Sequence, residues 1–156
     1  MMEGLDTLQR VKGSKGKIMS VDFGDVRTGL AVSDVSRFIA SGIGYISPGG
    51  IDKTVEAVAE AARENGVAAV IVGLPVNMDG SHGGRAQRCE KFAYMLKHIL
   101  GEEIAVATFD ERMTTMTASR YLNETNTRGK KRKQVIDTLS AQIILQNCLD
   151  RLKYMN

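Results

Sequence analysis

Short apolar runs alternate with amphipathic stretches along most of the chain, a pattern typical of a β-sheet covered by helices. Residues 1–16 are polar and lack a period, which predicts a flexible leader, and residues 17–156 are expected to form a single domain. Strands are predicted at residues 18–23, 28–33, 38–46, 67–73 and 103–109. Helices are predicted at residues 52–65 with Asp52 as the cap, 85–100, 115–123 and 133–153, with a basic loop before the last one.

The order of these elements predicts an α/β fold. Three strands follow one another, and helices then alternate with strands, which indicates a mixed sheet with helices on both faces. Residues 67–73 are an almost continuous apolar run, as expected of a strand that is covered on both sides.

Composition narrows the class of protein. A chain of 156 residues, 43% hydrophobic and 25% charged, fits one soluble domain and excludes two large lobes around a cleft. No apolar run reaches the roughly 18 residues of a membrane span, so no membrane partner is expected. Cys89 and Cys148 form neither a zinc motif nor a disulfide framework, which favours the cytoplasm. The net charge of +3 permits an anionic partner without requiring one.

Carboxylates occur where the predicted elements would turn them inward. Asp22 lies in the first strand, Asp110 and Glu111 follow the fifth, and Asp137 heads the inward stripe of the last helix. Each has an ordinary alternative: a satisfied core residue, a partner of Arg112, or a charge favoured by the helix dipole. Several carboxylates gathered in one site repel one another unless a cation is present, and Mg²⁺ suits such a cluster. Two such ions about 3.5–4 Å apart can activate a water and stabilise the leaving oxygen of a phosphodiester.

Basic and glycine-rich segments accompany these carboxylates. A tight turn after Asp22 carries Arg27, and the loop at residues 73–84 leads from a buried strand to Arg85. Residues 128–133 carry five positive charges directly before the helix of Asp137. Such a run is most often a solvated loop, but its position beside an acidic site favours contacts with nucleic-acid phosphates. Aromatic residues make up only 5% of the chain, so recognition by charge and shape is expected instead of base stacking.

Four sequence blocks, in this order, closely resemble the bacterial YqgF family, whose members are described as pre-16S rRNA nucleases or Holliday-junction-resolvase-like proteins. The resemblance spans about residues 17–152. The blocks are Asp22-Phe23-Gly24…Arg27-Thr28-Gly29-Leu30-Ala31, Gly73-Leu74-Pro75…Asn77-Met78-Asp79-Gly80, Asp110-Glu111-Arg112-Met113-Thr114-Thr115 and Asp137-Thr138-Leu139-Ser140-Ala141.

The resemblance implies a ribonuclease-H-like fold: a five-stranded mixed sheet, its first three strands antiparallel, with helices on both faces. It also implies phosphodiester hydrolysis with Mg²⁺ or Mn²⁺ held by Asp22, Glu111 and Asp137, with Asp110 as the alternative to Glu111. The residues expected to contact nucleic acid are Arg27, Asn77, Arg85, Arg112, Arg128, Lys130, Lys131, Arg132 and Lys133.

The main functional hypothesis is a cytoplasmic nuclease for structured RNA that processes the 5′ end of pre-16S rRNA in ribosome biogenesis, with ribosomal particles as further partners. A Holliday junction resolvase acting on branched DNA is the alternative with the same chemistry, and symmetric cutting would need a two-fold dimer. A monomer or a weak homodimer is expected. A non-catalytic nucleic-acid-binding module of the same fold is a second alternative. A third, an actin-like or sugar-kinase-like ATPase, needs two lobes, and the chain supplies one.

Overall fold

The computed structural model describes residues 4–113 and 129–155, and for residues 113 and 129–137 it describes the backbone alone. The strands are β1 (Ile18–Asp22), β2 (Thr28–Ser33), β3 (Ala40–Ile46), β4 (Ala69–Leu74) and β5 (Ala105–Asp110). The helices are α1 (Leu8–Gly13), α2 (Ile51–Glu64), α3 (Gly84–Leu100) and α4 (Gly129–Lys153), and a 3₁₀ turn follows β5 at Glu111–Met113. Within these described ranges, no helix is long and apolar enough to cross a membrane.

The five strands form one mixed sheet in the order β3-β2-β1-β4-β5. β1 pairs antiparallel with β2, and β2 with β3, whereas β4 is parallel to both β1 and β5. Helices α2 and α3 bury their apolar residues against one face, and α4 covers the other face. The predicted fold class is therefore confirmed, including the antiparallel arrangement of the first three strands.

Helix α4 runs antiparallel to β1 and β3. The Gln146 side-chain amide donates to the carbonyl oxygen of Phe38, which precedes β3, at 3.0 Å. Nearer the start of α4, Thr138 lies against Gly42, which lies within β3 and farther along the chain than Phe38. The first residues of α4 therefore lie at the edge where β1, β4 and β5 end, which is the usual position of a ligand site in such sheets.

Several predicted bounds are corrected by the structure. The basic run was expected in a loop, but α4 begins at Gly129, so residues 129–133 form its first turns. Lys, Arg and Gln favour helix, and no breaker separates them from the rest of α4. Strand β3 begins two residues late because the Asp34 carboxylate accepts the backbone N–H groups of Phe38 and Ile39 and holds them in a turn. Asp52 is not the cap of α2, whose N-cap is Gly50. The helix predicted at residues 115–123 lies outside the described residues.

Residues 4–16, part of the segment predicted as a flexible leader, lie against the rest of the chain in the structure. Thr7 caps α1 through its side chain, and Val11 is fully buried against the α4 side of the sheet. Asp6 accepts a hydrogen bond from the Lys97 ammonium group at 2.7 Å and another from the backbone N–H of Val106 at 2.8 Å. One buried apolar side chain and one buried ion pair order a segment whose composition is polar.

Replacing Asp6 with Ala is expected to destabilise the protein by about 1–3 kcal/mol, because a buried ammonium and a backbone N–H would lose their acceptor. Burial alone would raise the pKa of Asp6, but the bonds from Lys97 and Val106 hold this pKa below its ordinary range. The stabilisation should therefore be complete at pH 7 and shrink as the pH falls from about 4 through the lowered pKa. Urea unfolding at pH 7 and pH 3 measures it. Glu102→Ala, which removes the largely exposed partner of Arg10, is the control and should leave the stability nearly unchanged.

Candidate active site

Three acidic residues lie at the same edge of the sheet, where strands β1 and β5 end. Asp22 is the last residue of β1, Asp110 is the last residue of β5, and Glu111 opens the 3₁₀ turn that follows. The Ser20 hydroxyl donates to the carbonyl oxygen of Ala141 at 2.6 Å, so this face of β1 is turned toward α4. Asp22 lies two residues farther along the strand and therefore shares that face.

Glu111 is held in a recess over Gly73, the residue before the end of β4. A Cβ atom at Gly73 would lie 3.2 Å from the Glu111 Oε2 and 2.7 Å from the Ile144 Cδ1, so glycine leaves room for both side chains in their present positions. Burial raises the pKa of Glu111, the guanidinium of Arg85 opposes this rise, and the neighbouring carboxylate of Asp110 adds to it. A buried carboxylate of this kind gains from an added cation.

Asp110, the neighbour of Glu111 in the chain, forms an ion pair with Arg112. The Arg112 guanidinium donates to both of its carboxylate oxygens, with contacts of 2.7 and 2.9 Å to Oδ2. These bonds from Arg112 lower the pKa of Asp110. Of the two adjacent acidic residues, Asp110 therefore positions Arg112, whereas Glu111 is turned into the recess beside α4.

Asp137 lies in α4 one turn before Ala141, which accepts the hydrogen bond from Ser20. Its backbone is thus placed beyond Ser20 in the direction of Asp22, while its side chain is not among those described. Within the described side chains, no group of three or more His, Cys, Asp or Glu residues is arranged to hold a metal ion. Of the predicted ligands Asp22, Glu111 and Asp137, the last has its side chain outside the described part of the chain.

The predicted basic residues divide into three groups. Arg27 places its guanidinium 5.5 Å from the centre of the Tyr45 ring, and Arg85 makes a long contact of 3.5 Å with the carbonyl oxygen of Phe23. Arg112 is bound to Asp110, as described above. The backbones of the remaining cations open α4, apart from Arg128, which lies outside the described residues; they are Lys130, Lys131, Arg132 and Lys133.

Asn77 contributes to the shape of its loop. Its side-chain amide donates to the Ser81 hydroxyl at 3.0 Å, and its backbone N–H donates to the carbonyl oxygen of Ser81 at 2.9 Å. The amide that was expected to contact nucleic acid therefore closes a turn within residues 77–81.

Sequence reasoning missed the contacts that join separate elements at this edge. A cavity of about 280 Å³ lies between the turn after β1 and the start of α3. On its wall, Arg88 donates to the Asp25 carboxylate at 2.6 Å, a pairing that no spacing along the chain signals. Cys89, also on the wall, is not a nucleophile: burial raises its pKa to about 12, against the effect of Arg85 and with added contributions from Glu111, Asp22 and Asp25.

Comparison with proteins of known structure shows the fold. The chain is similar to Thermus thermophilus RuvC in complex with a Holliday junction substrate, with a TM-score of 0.54, 13% sequence identity, and coverage of 88% of this chain and 96% of that one. It is also similar to the fowlpox virus Holliday junction resolvase, with a TM-score of 0.52, 14% identity, and coverage of 89% and 99%. The strand order and these similarities place the chain in the ribonuclease-H-like fold class.

Comparison of sequences gives the family. The chain belongs to the RuvX family, described as Holliday junction resolvase, whose model matches residues 16–151. A protein of Caldanaerobacter subterraneus subsp. tengcongensis named "Putative pre-16S rRNA nuclease" is 43% identical over 139 residues, which cover 88% of this chain and 98% of that one. A protein of Pelotomaculum thermopropionicum with the same name is 42% identical over 135 residues, or 86% of each chain. These matches confirm the family resemblance of the four sequence blocks.

Proposed function

We propose that the protein is a divalent-metal-dependent nuclease that hydrolyses phosphodiester bonds in structured RNA, at the 5′ end of pre-16S rRNA. The observation that supports this most directly is that Asp22 and the recessed Glu111 end at one edge of a ribonuclease-H-like sheet. The names of the relatives favour precursor rRNA as the substrate. The cytoplasm, where precursor rRNA is processed, is the proposed location.

The donor set fits Mg²⁺ or Mn²⁺. Carboxylate oxygens are the ligands that these ions prefer, and Asp22, Glu111 and Asp137 would supply them from three separate elements. Glu111 offers an independent sign of fit, because it is a half-buried carboxylate with a raised pKa in a recess that a Cβ atom would fill. When bound, the metal would activate water and neutralise charge on the phosphate.

The residues around the carboxylates would hold the nucleic acid. Four cations open α4, and its first turn contains no acidic residue. Cations at a helix N-terminus are disfavoured by the helix dipole, so an anion at this position would relieve both the dipole and the mutual repulsion of the charges. Arg85 would contribute a further positive charge beside Glu111. We therefore infer that a backbone phosphate lies between α4 and the carboxylates.

Resolution of Holliday junctions is the second candidate, favoured by the description of the family model. The chemistry and the site would be unchanged, but symmetric cutting requires two active sites related by a two-fold axis. A monomer in solution would therefore count against it.

The test is cleavage of three labelled substrates: a 5′ fragment of pre-16S rRNA, a four-way DNA junction, and unstructured strands of the same lengths. Each is incubated with Mg²⁺, Mn²⁺ or EDTA. The proposal predicts metal-dependent cleavage of the rRNA fragment in preference to the other substrates. Preferential cutting of the junction would replace it with the resolvase function. Salt-sensitive binding without cleavage in either metal would show a non-catalytic binding module instead.

Replacing Glu111 with Gln is expected to lower the cleavage rate by about 100-fold or more, because loss of a metal ligand should exceed the 10–100-fold effect of losing a group behind the ligand. The matched change in its neighbour, Asp110→Asn, should raise KM by roughly tenfold or less with kcat retained, since it releases Arg112. Steady-state cleavage at saturating Mg²⁺ gives kcat and KM for each variant and so distinguishes the two expected effects. A larger loss of kcat in Asp110→Asn would assign the metal to Asp110.

A further inference from the structure

Met78 is an apolar side chain held in solvent at the tip of a turn. It is 89% exposed, and it lies in the loop that follows β4. An exposed thioether side chain gains free energy when it is buried against a partner. Among the large apolar side chains in the described part of the chain, Met78 is the most exposed.

The turn that carries Met78 is closed by its own hydrogen bonds. Besides the two bonds from Asn77 to Ser81, the backbone N–H of Gly80 donates to the carbonyl oxygen of Asn77 at 2.8 Å. The Asp79 carboxylate accepts from the Ser81 hydroxyl at 2.6 Å and from its backbone N–H at 2.9 Å. Gly80 has a positive φ of 88°, which favours glycine. Met78 is thus presented on a preformed turn, which lowers the entropy cost of inserting it into a partner.

This turn lies beside the proposed active site. The Arg112 Nη1 is 3.9 Å from the position of a Cβ at Gly80, and Arg112 follows Glu111 directly. The hydrogen bonds from Ser81 lower the pKa of Asp79, and the charge of Arg112 lowers it further, which also indicates that the turn and Arg112 are close. A nucleic acid bound over Glu111 and Arg112 would therefore pass close to this turn.

We propose that Met78 is a wedge that inserts between bases where the stack of a structured nucleic acid is interrupted, at a branch or at the end of a helix. The inference rests on the proposed function, since it assumes that nucleic acid lies over the carboxylates. Apolar side chains, Met among them, are known to enter base steps in this way and to offset the unstacking with the surface that they bury. The flexible, polarisable thioether adapts to different base steps. Met78 is a positioning residue that selects structured over single-stranded substrates.

The experiment compares Met78→Ser with Met78→Leu, which keeps an apolar side chain. The control is Val35→Ser, which alters an apolar residue that is 67% exposed in the turn between β2 and β3, at the opposite edge of the sheet. The probe is an RNA hairpin with a single-stranded tail and 2-aminopurine at the helix end, bound in EDTA so that it is not cut. Wild type, Met78→Leu and Val35→Ser should raise the 2-aminopurine fluorescence severalfold, and Met78→Ser should not.

Cleavage of the same hairpin in Mg²⁺ gives the second readout. In Met78→Ser, KM for the hairpin should rise roughly tenfold, with kcat and the cleavage of an unstructured strand unchanged. If Met78→Ser gave the same 2-aminopurine fluorescence and the same KM as the wild type, the role of Met78 as a wedge would be overturned, and the proposed nuclease activity would be unaffected. Fluorescence that depends on Met78 without any cleavage would support the wedge and overturn the nuclease. If the wild type neither bound the hairpin in EDTA nor cleaved it in Mg²⁺, both the wedge and the nuclease would be overturned.

Discussion

Replacing Asp22 with Asn is expected to abolish metal-dependent cleavage while the fold is retained. The amide keeps the size of the side chain but removes a negative charge from the end of β1, where it shares a face with Ser20 and α4. A neutral amide binds Mg²⁺ far more weakly than a carboxylate, and we expect a loss of at least about 100-fold in the rate. The measurement is the cleavage rate of the rRNA fragment at saturating substrate, with Mg²⁺ varied.

The matched control for this change is Asp52→Asn. Asp52 is exposed in the first turn of α2, on the opposite side of the sheet from α4, and its replacement should leave cleavage within twofold of wild type. Thermal unfolding in EDTA should give similar melting temperatures for both variants. If Asp22→Asn cleaved at the wild-type rate with the same dependence on Mg²⁺, the site would not lie at this edge of the sheet.

The second large effect is expected for Gly73→Ala, which adds one carbon atom beneath Glu111. That Cβ would lie 2.7 Å from the Ile144 Cδ1 and 3.2 Å from the Glu111 Oε2, so both side chains must move. We expect a loss of stability of about 1–3 kcal/mol from overpacking. Because Glu111, the proposed metal ligand, is displaced by a few tenths of an ångström, cleavage should also fall, by roughly 10–100-fold.

A second variant separates the effect on activity from the effect on stability. Adding Ile144→Val to Gly73→Ala removes the Cδ1 atom and the shorter contact, so it should recover part of the stability while cleavage stays low. Gly13→Ala is the control, because nothing lies within 4 Å of its added Cβ. Urea unfolding and cleavage rates are measured on all four proteins. Full recovery of cleavage in the double variant would show that Gly73 serves packing alone.

The order of the elements could be predicted because it depends on local patterns. The apolar run at residues 67–73 has no polar residue to turn toward water, so it indicated a strand that is covered on both faces, and β4 is fully buried between β1 and β5. The polar start of the chain carried no such period. Its order comes from Val11 and from the contact of Asp6 with Lys97, a partner 91 residues away. No local pattern records a contact of that range.

The candidate site was also predictable only in part from the sequence. Asp22 and Glu111 stood out because a carboxylate inside or directly after a strand needs a compensating charge. The sequence did not show which of the two adjacent acidic residues enters the recess. In the structure, Arg112 binds Asp110. Gly73 leaves space for Glu111. The roles of Asp137 and of residues 128–133 stay predictions, since their side chains are outside the described part of the chain.

By itself, the sequence determined the fold class, the family and the carboxylates worth testing. Periodicity, turn chemistry and motif order depend only on nearby residues and on their order along the chain, so they can be read without the tertiary structure. The tertiary structure alone decided that the basic run opens a helix at the edge where β1, β4 and β5 end, that Glu111 lies over Gly73, and that Met78 stands in solvent beside Arg112. These features depend on distances between segments far apart in the chain, which are set by how the sheet and its helices pack.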